Sequence, residues 1–199
     1  VLNGDFSSWK AGLKYTAIAR RFETAQGWFV SSKGTNAGVT VSVEKLLARD
    51  PSRMKSSGEV FGLQIAGVIA RGPLRLETVL DPLQLSLFDS KILRFFAQAQ
   101  TGAIVVQDAA QQAQAARIAR ILLLRRVRED ASSESYRDET LAVIARRVAL
   151  RASGRFYEFQ IPETASEAMA NDSSKDLVDR KISFILMFEF EQAVNFTVA

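Results

Sequence analysis

Ile182-Ser-Phe-Ile-Leu-Met-Phe-Glu-Phe-Glu191 is the stretch that decides the fold class. Ile182, Phe184, Leu186, Phe188 and Phe190 alternate with Ser183, Ile185, Met187, Glu189 and Glu191. Side chains of a strand repeat every second residue, so this spacing predicts a β-strand with one aromatic and branched face. Val194, Phe196 and Val198 repeat the pattern and predict a second strand after a tight connection. Upstream, Arg155-Phe-Tyr-Glu-Phe-Gln-Ile161 predicts another, stopped by Pro162, which has no N–H to give a ladder. Further strands are expected at Trp28–Ser32, Val39–Lys45, Gly62–Ala70, Leu74–Thr78, Ile92–Gln100 and Arg117–Val127.

Two segments resist a plain strand pattern. Gln107–Ala119 is rich in Ala and Gln, with Asp108 placed to cap it, and predicts one short helix. In Thr140–Arg151, Leu141, Ile144 and Val148 fall at helical spacings, yet the neighbouring strands favour an extended reading, and a strand is expected. Glu129–Glu139 and Pro162–Asp179 are rich in Ser, Asp and Glu and predict exposed loops. Many short strands separated by turns predict an all-β fold, a jelly-roll β-sandwich, over residues 1–199 as a single domain.

Composition limits the chemistry. The 199 residues include no histidine and no cysteine. That removes thiol nucleophiles, disulfides, Cys or His metal ligands and any Ser-His-Asp triad. No cofactor is expected: Asp5 in Asn3-Gly4-Asp5 could join a calcium site, but it is one carboxylate without an identifiable second ligand, and no metal is assigned. The longest apolar run, Ile121–Leu124, is flanked by Arg120 and Arg125, far short of the roughly 20 residues a membrane helix needs, so no membrane insertion is expected.

Charge is segregated along the chain. Residues 117–155 carry ten arginines and no lysine against five acids, a local +5. Residues 158–191 carry eight acids against three basic groups, a local −5. Arginine suits bidentate contact with carboxylate or phosphate. The cluster (Arg117, Arg120, Arg125, Arg126, Arg128, Arg146, Arg147, Arg151 and Arg155) could meet an acidic polysaccharide or the acidic stretch of another copy in a homo-oligomer. Its plain alternative is a solvated face with internal salt bridges. No nucleic-acid motif accompanies it, and few aromatics lie among the arginines.

The opening Val1-Leu-Asn-Gly-Asp-Phe-Ser-Ser-Trp9 resembles the "NGDF-x-x-W" start of the carbohydrate-binding-module-like jelly rolls of phage tail fibres and related virion proteins. Gly27-Trp28, Leu74-Arg-Leu-Glu-Thr78, Ile92-Leu-Arg-Phe-Phe-Ala-Gln-Ala99 and Phe184-Ile-Leu-Met-Phe-Glu-Phe190 resemble that group's later strands. The Arg- and Ala-rich middle is most similar to the head spikes of gene transfer agents, while the Ala/Gln segment around Gln107–Ala116 departs from the group. The resemblance implies a non-enzymatic protein at the surface of a phage-like particle, outside the cell after release. Such a protein would bind capsular polysaccharide for host attachment, beside other spike or capsid proteins. The alternative within the group is a purely structural virion protein that joins spike subunits.

Several residues have a binding reading and a plain one. Trp28 could stack on a sugar ring or fill the core. Tyr136 lies among Glu134, Arg137 and Asp138 in a polar stretch where nothing apolar nearby calls for it. Those four offer a stacking face with hydrogen-bonding partners for hydroxyls, or else a solvated turn. Glu189 and Glu191, about 6.5–7 Å apart along a strand, overlap the carboxylate spacing of inverting glycosidases, but the plain reading is the outward polar side of an amphipathic strand. No catalytic residue is assigned.

Overall fold

The computed structural model describes residues 8–9, 14–16, 21–32, 40–45, 61–67, 74–80, 92–99, 117–128, 135–150, 155–170, 181–190 and 194–198. Twelve strands and one helix follow in chain order among them. They are β1 (Lys14–Thr16), β2 (Phe22–Glu23), β3 (Trp28–Ser32), β4 (Thr40–Lys45), β5 (Phe61–Gly67), β6 (Leu74–Leu80), β7 (Ile92–Ala99), β8 (Arg117–Arg128), β9 (Tyr136–Ala149), β10 (Arg155–Gln160), α1 (Glu163–Ala170), β11 (Ile182–Phe190) and β12 (Val194–Val198). One sheet has the order β1-β4-β5-β12-β7-β10 and the other β2-β3-β6-β11-β8-β9. The ladders between their strands are antiparallel, and the chain passes repeatedly from one sheet to the other, as in a jelly roll. The fold is an all-β sandwich, as the alternation predicts.

The two sheets share one core. From the second sheet, Trp28, Val30, Leu76, Ile121, Leu123 and the even-numbered residues Phe184, Leu186, Phe188 and Phe190 point inward. They meet Phe95, Ala97 and Tyr157 of the first. Phe188 is the centre of this contact: its ring packs edge-on to Phe95 at 5.1 Å and beside Trp28 at 6.5 Å. The Tyr157 hydroxyl crosses between the sheets to donate to the Ala149 carbonyl at 2.9 Å. Near the N-terminus, Trp9 bridges to Ala25 and the Gln26 N–H donates to the Ser8 carbonyl, which ties the opening motif to the β2–β3 turn. Gly27 takes φ 77° in that turn, a left-handed angle that a Cβ would disfavour.

Three expectations change. The only helix among the described residues is α1, inside the segment read as a loop; its Ala165 and Met169 are buried at i, i+4, and the Pro162 carbonyl accepts from the N–H groups of Ala165 and Ser166. Residues 107–116 of the expected helix lie outside the described residues, and 117–119 belong to β8. Tyr136–Glu139 is not loop but the start of β9. The helical spacing in β9 has a physical origin in two register shifts against β8, at Ile121/Leu122 and Leu123/Leu124. Each leaves one extra residue (Ile144, then Leu141) on β9 and stretches the inward-facing positions beyond period two. β9 is also an edge strand, and its bulges and exposed Arg146 and Arg147 disfavour pairing with another strand.

Replacing Phe188 by Ala removes the ring that joins the sheets. The expected loss is about 3–5 kcal/mol of stability, read as a lower urea midpoint with an unchanged slope.

Candidate functional site

The alternation in β11 leads to the site, because both of its faces are buried. On the side away from the core, Ile185 and Met187 pack with Leu122 and Leu124 of β8 and against Val79 of β6. Charged groups surround this small apolar cluster on the same face. Register places Arg75 and Arg120 opposite Glu189 on either side, and Asp138 opposite Arg126. Directly opposed residues of an antiparallel pair share a face, so these groups are neighbours by construction.

Glu189 is therefore not an outward polar residue. It is 2% exposed, with Arg75 donating to Oε1 at 3.2 Å and Arg120 paired to Oε2. Two guanidinium groups occupy both of its oxygens, which leaves neither free to attack a substrate or hand over a proton. Glu191 lies outside the described residues. The pairing also joins the basic and acidic segments inside one chain, since Arg120 belongs to the first and Glu189 to the second.

At the other end of the face a longer network forms around Arg126, which is fully buried. Its Nε and Nη2 donate to the two oxygens of Asp138 at 2.7 and 2.8 Å, a bidentate fork. Its Nη1 donates to Glu77 Oε2 at 3.0 Å, and Arg21 Nε donates to the same oxygen at 3.1 Å. Arg126 lies opposite Ser183, and Glu77 opposite Met187, four residues or about 13 Å further along β11. The side chains that close this distance pass over the Ile185 row and help keep it dry. Burial opposes the Arg126 charge, but the Asp138 hydrogen bonds and the Glu77 charge outweigh it and raise the pKa. For Arg21 burial prevails over Glu77, with the Arg126 charge adding to it, and the pKa is lowered.

An aromatic ring covers each end of this chain of charges. The Arg21 guanidinium carbon sits 3.5 Å from the centroid of the Phe29 ring, and that of Arg126 sits 3.9 Å from the centroid of Tyr136. Tyr136 is 43% exposed, so its ring faces solvent above the buried guanidinium.

Of the residues expected to bind, the structure joins Tyr136 and Asp138, which share a face and grip the same arginine. Arg137 points to the opposite face, because neighbours along a strand alternate and its cross-strand partner is Val127. Trp28 is corrected to a core residue: it is 5% exposed beside Phe188 and offers no ring to solvent. Glu134 and Asp5 lie outside the described residues. Sequence reasoning missed Arg21, Phe29, Glu77 and the buried role of Arg126. Arg75 and Glu77, charged residues at alternate positions of a buried strand, were the available signal. No group of carboxylates able to hold a metal ion occurs among the described residues, and no helix among them is long and apolar enough to cross a membrane.

No protein-family model matches the chain, and no curated protein does. Solved structures with a similar course include a xylan-binding domain from carbohydrate-binding module family 22, 11% identical, covering 95% of this chain and 92% of that one with a TM-score of 0.37. A second is the C-terminal family 22 carbohydrate-binding module of Clostridium thermocellum Xyn10B, 12% identical, covering 100% and 92% with a TM-score of 0.34.

Arg126→Met takes the fork from Asp138 and leaves the buried Glu77 with Arg21 alone, and is expected to cost about 3 kcal/mol in urea unfolding. Arg94→Met, which breaks an exposed pair with Glu158, is expected to change stability by no more than about 1 kcal/mol.

Proposed function

We propose that this protein is a non-enzymatic carbohydrate-binding β-sandwich, and that it binds through the outer face of the β2-β3-β6-β11-β8-β9 sheet at Tyr136. The observation that carries the reading is the Tyr136 ring, exposed to solvent yet fixed against a guanidinium that two carboxylates lock in place. A sugar ring presents an apolar C–H face that stacks on such a platform, and a platform already immobile loses little entropy when it binds. The rim of the platform is polar, so hydroxyls find partners there. The paired state of Glu189 supports binding without hydrolysis.

The sequence resemblance supports a finer reading of the same activity. The glycan is then a capsular polysaccharide, and the protein works outside the cell on the surface of a phage-like particle, as a head spike or fibre protein. Several copies on one particle multiply weak single contacts into firm attachment.

Screening the purified protein on a glycan array, and then Tyr136→Ala, tests the reading. Loss of the ring is expected to weaken binding at least tenfold, about 1.4 kcal/mol, with the unfolding midpoint kept within a few degrees. Binding that survives Tyr136→Ala would move the site elsewhere. A folded protein that binds no glycan would leave the structural role in a particle as the better account.

A further inference from the structure

The described charges around Tyr136 do not balance. Arg21 and Arg126 are matched by Glu77 and Asp138, two cations against two anions, all joined by hydrogen bonds or ion pairs. Arg128 is the next residue on the same face of β8, and register sets it directly opposite Tyr136. Its backbone N–H donates to the Lys181 carbonyl. Its side-chain Nε is buried with no acceptor within reach. A guanidinium offers five donors and no acceptor, so a buried donor left unmatched marks a position that an added acceptor would improve.

The described carboxylates on this face are already engaged. Asp138 has both oxygens on Arg126, Glu77 Oε2 serves two arginines, and Glu189 is held at the far end by Arg75 and Arg120. The nearest described acid on the neighbouring strand, Glu139, is turned to the opposite face and pairs with Arg125 at 3.4 Å. Among the described residues no acid is left to pair with Arg128, and a guanidinium without a paired acid favours an anionic ligand.

We infer that the glycan taken by the Tyr136 site is acidic, with the carboxylate of a uronic acid residue on Arg128 and a sugar ring on Tyr136. This inference rests on the carbohydrate-binding reading and names the ligand class within it. Arginine recognises a carboxylate through two parallel N–H donors, a geometry that a hydroxyl cannot match. Side chains directly across an antiparallel pair stand roughly 4.5–5.5 Å apart at Cβ, close to the width of a pyranose ring with its exocyclic carboxylate. One sugar residue can thus meet both groups at once. A neutral sugar would stack on Tyr136 and leave the Arg128 charge without a counter-ion.

The test is an array of uronate-containing oligosaccharides, each printed beside its carboxyl-reduced, neutral form, probed at low and at 0.5 M salt. The inference predicts binding to the acidic members, at least tenfold weaker on their reduced partners and weaker at high salt. Arg128→Gln, verified as folded by its unfolding midpoint, should lose the preference for the acidic form, and Arg128→Lys should restore part of it. Equal binding to acidic and reduced forms, or a preference unchanged in Arg128→Gln, would overturn the uronate assignment while leaving carbohydrate binding intact. Absence of binding to every member, acidic and neutral, would overturn the carbohydrate reading itself.

Discussion

A guanidinium with no exposed surface has to find its acceptors inside the protein, and Arg126 finds three carboxylate oxygens from two strands. This constraint shapes one whole face of the sandwich. Asp138 must lie opposite Arg126 on β9, Glu77 must reach back from β6, and Arg21 must stand beside Glu77 because one oxygen serves both arginines. The charges could not stay buried in isolation; each is tolerated because the others are present. Replacing the whole network by apolar groups of like volume could be neutral for stability. A positional role fits such a network, and the ring stacked on it is Tyr136.

The division of labour between the two sides of the second sheet follows from its alternation. The inner side, centred on Phe188, holds the two sheets together through dispersion and removal of apolar surface from water. The outer side joins a small apolar cluster to ion pairs at each end, Glu189 with its arginines at one and Arg126 with its acids at the other. The long edge strand β9 links these functions: after its first bulge it contributes Ala142 and Val148 to the core, and before that bulge it delivers Tyr136 and Asp138 to the outer face.

Much of this was legible in the sequence, and the omissions have physical reasons. Period-two spacing in β11 reveals a strand, but not that Ile185, Met187 and Glu189 are buried as well, because burial of a second face depends on what lies over it. The pairing of Glu189 with Arg75 and Arg120 spans 114 and 69 positions, a relation set by register and not by local pattern. Tyr136 stood out because a polar stretch gave it nothing to pack against, while Arg137 was grouped with it only through adjacency, which in a strand means the opposite face. Trp28 has the composition of a binding aromatic and the alternation of a core one, and alternation prevailed. The helix α1 was hidden by its Ser and Glu content, although Ala165 and Met169 already stood at helical spacing.

The central claim is that Tyr136 is a platform fixed in advance by Arg126. Side-chain NMR of arginine- and tyrosine-labelled protein, titrated with a glycan selected on the array, tests it most directly. The account predicts a slowly exchanging Arg126 Nε–H in the free protein that stays nearly constant through the titration, while the Tyr136 ring resonances move as they do in ring stacking. A rapidly exchanging Arg126 Nε–H in the free protein, or Tyr136 resonances that stay still at saturation, would contradict it.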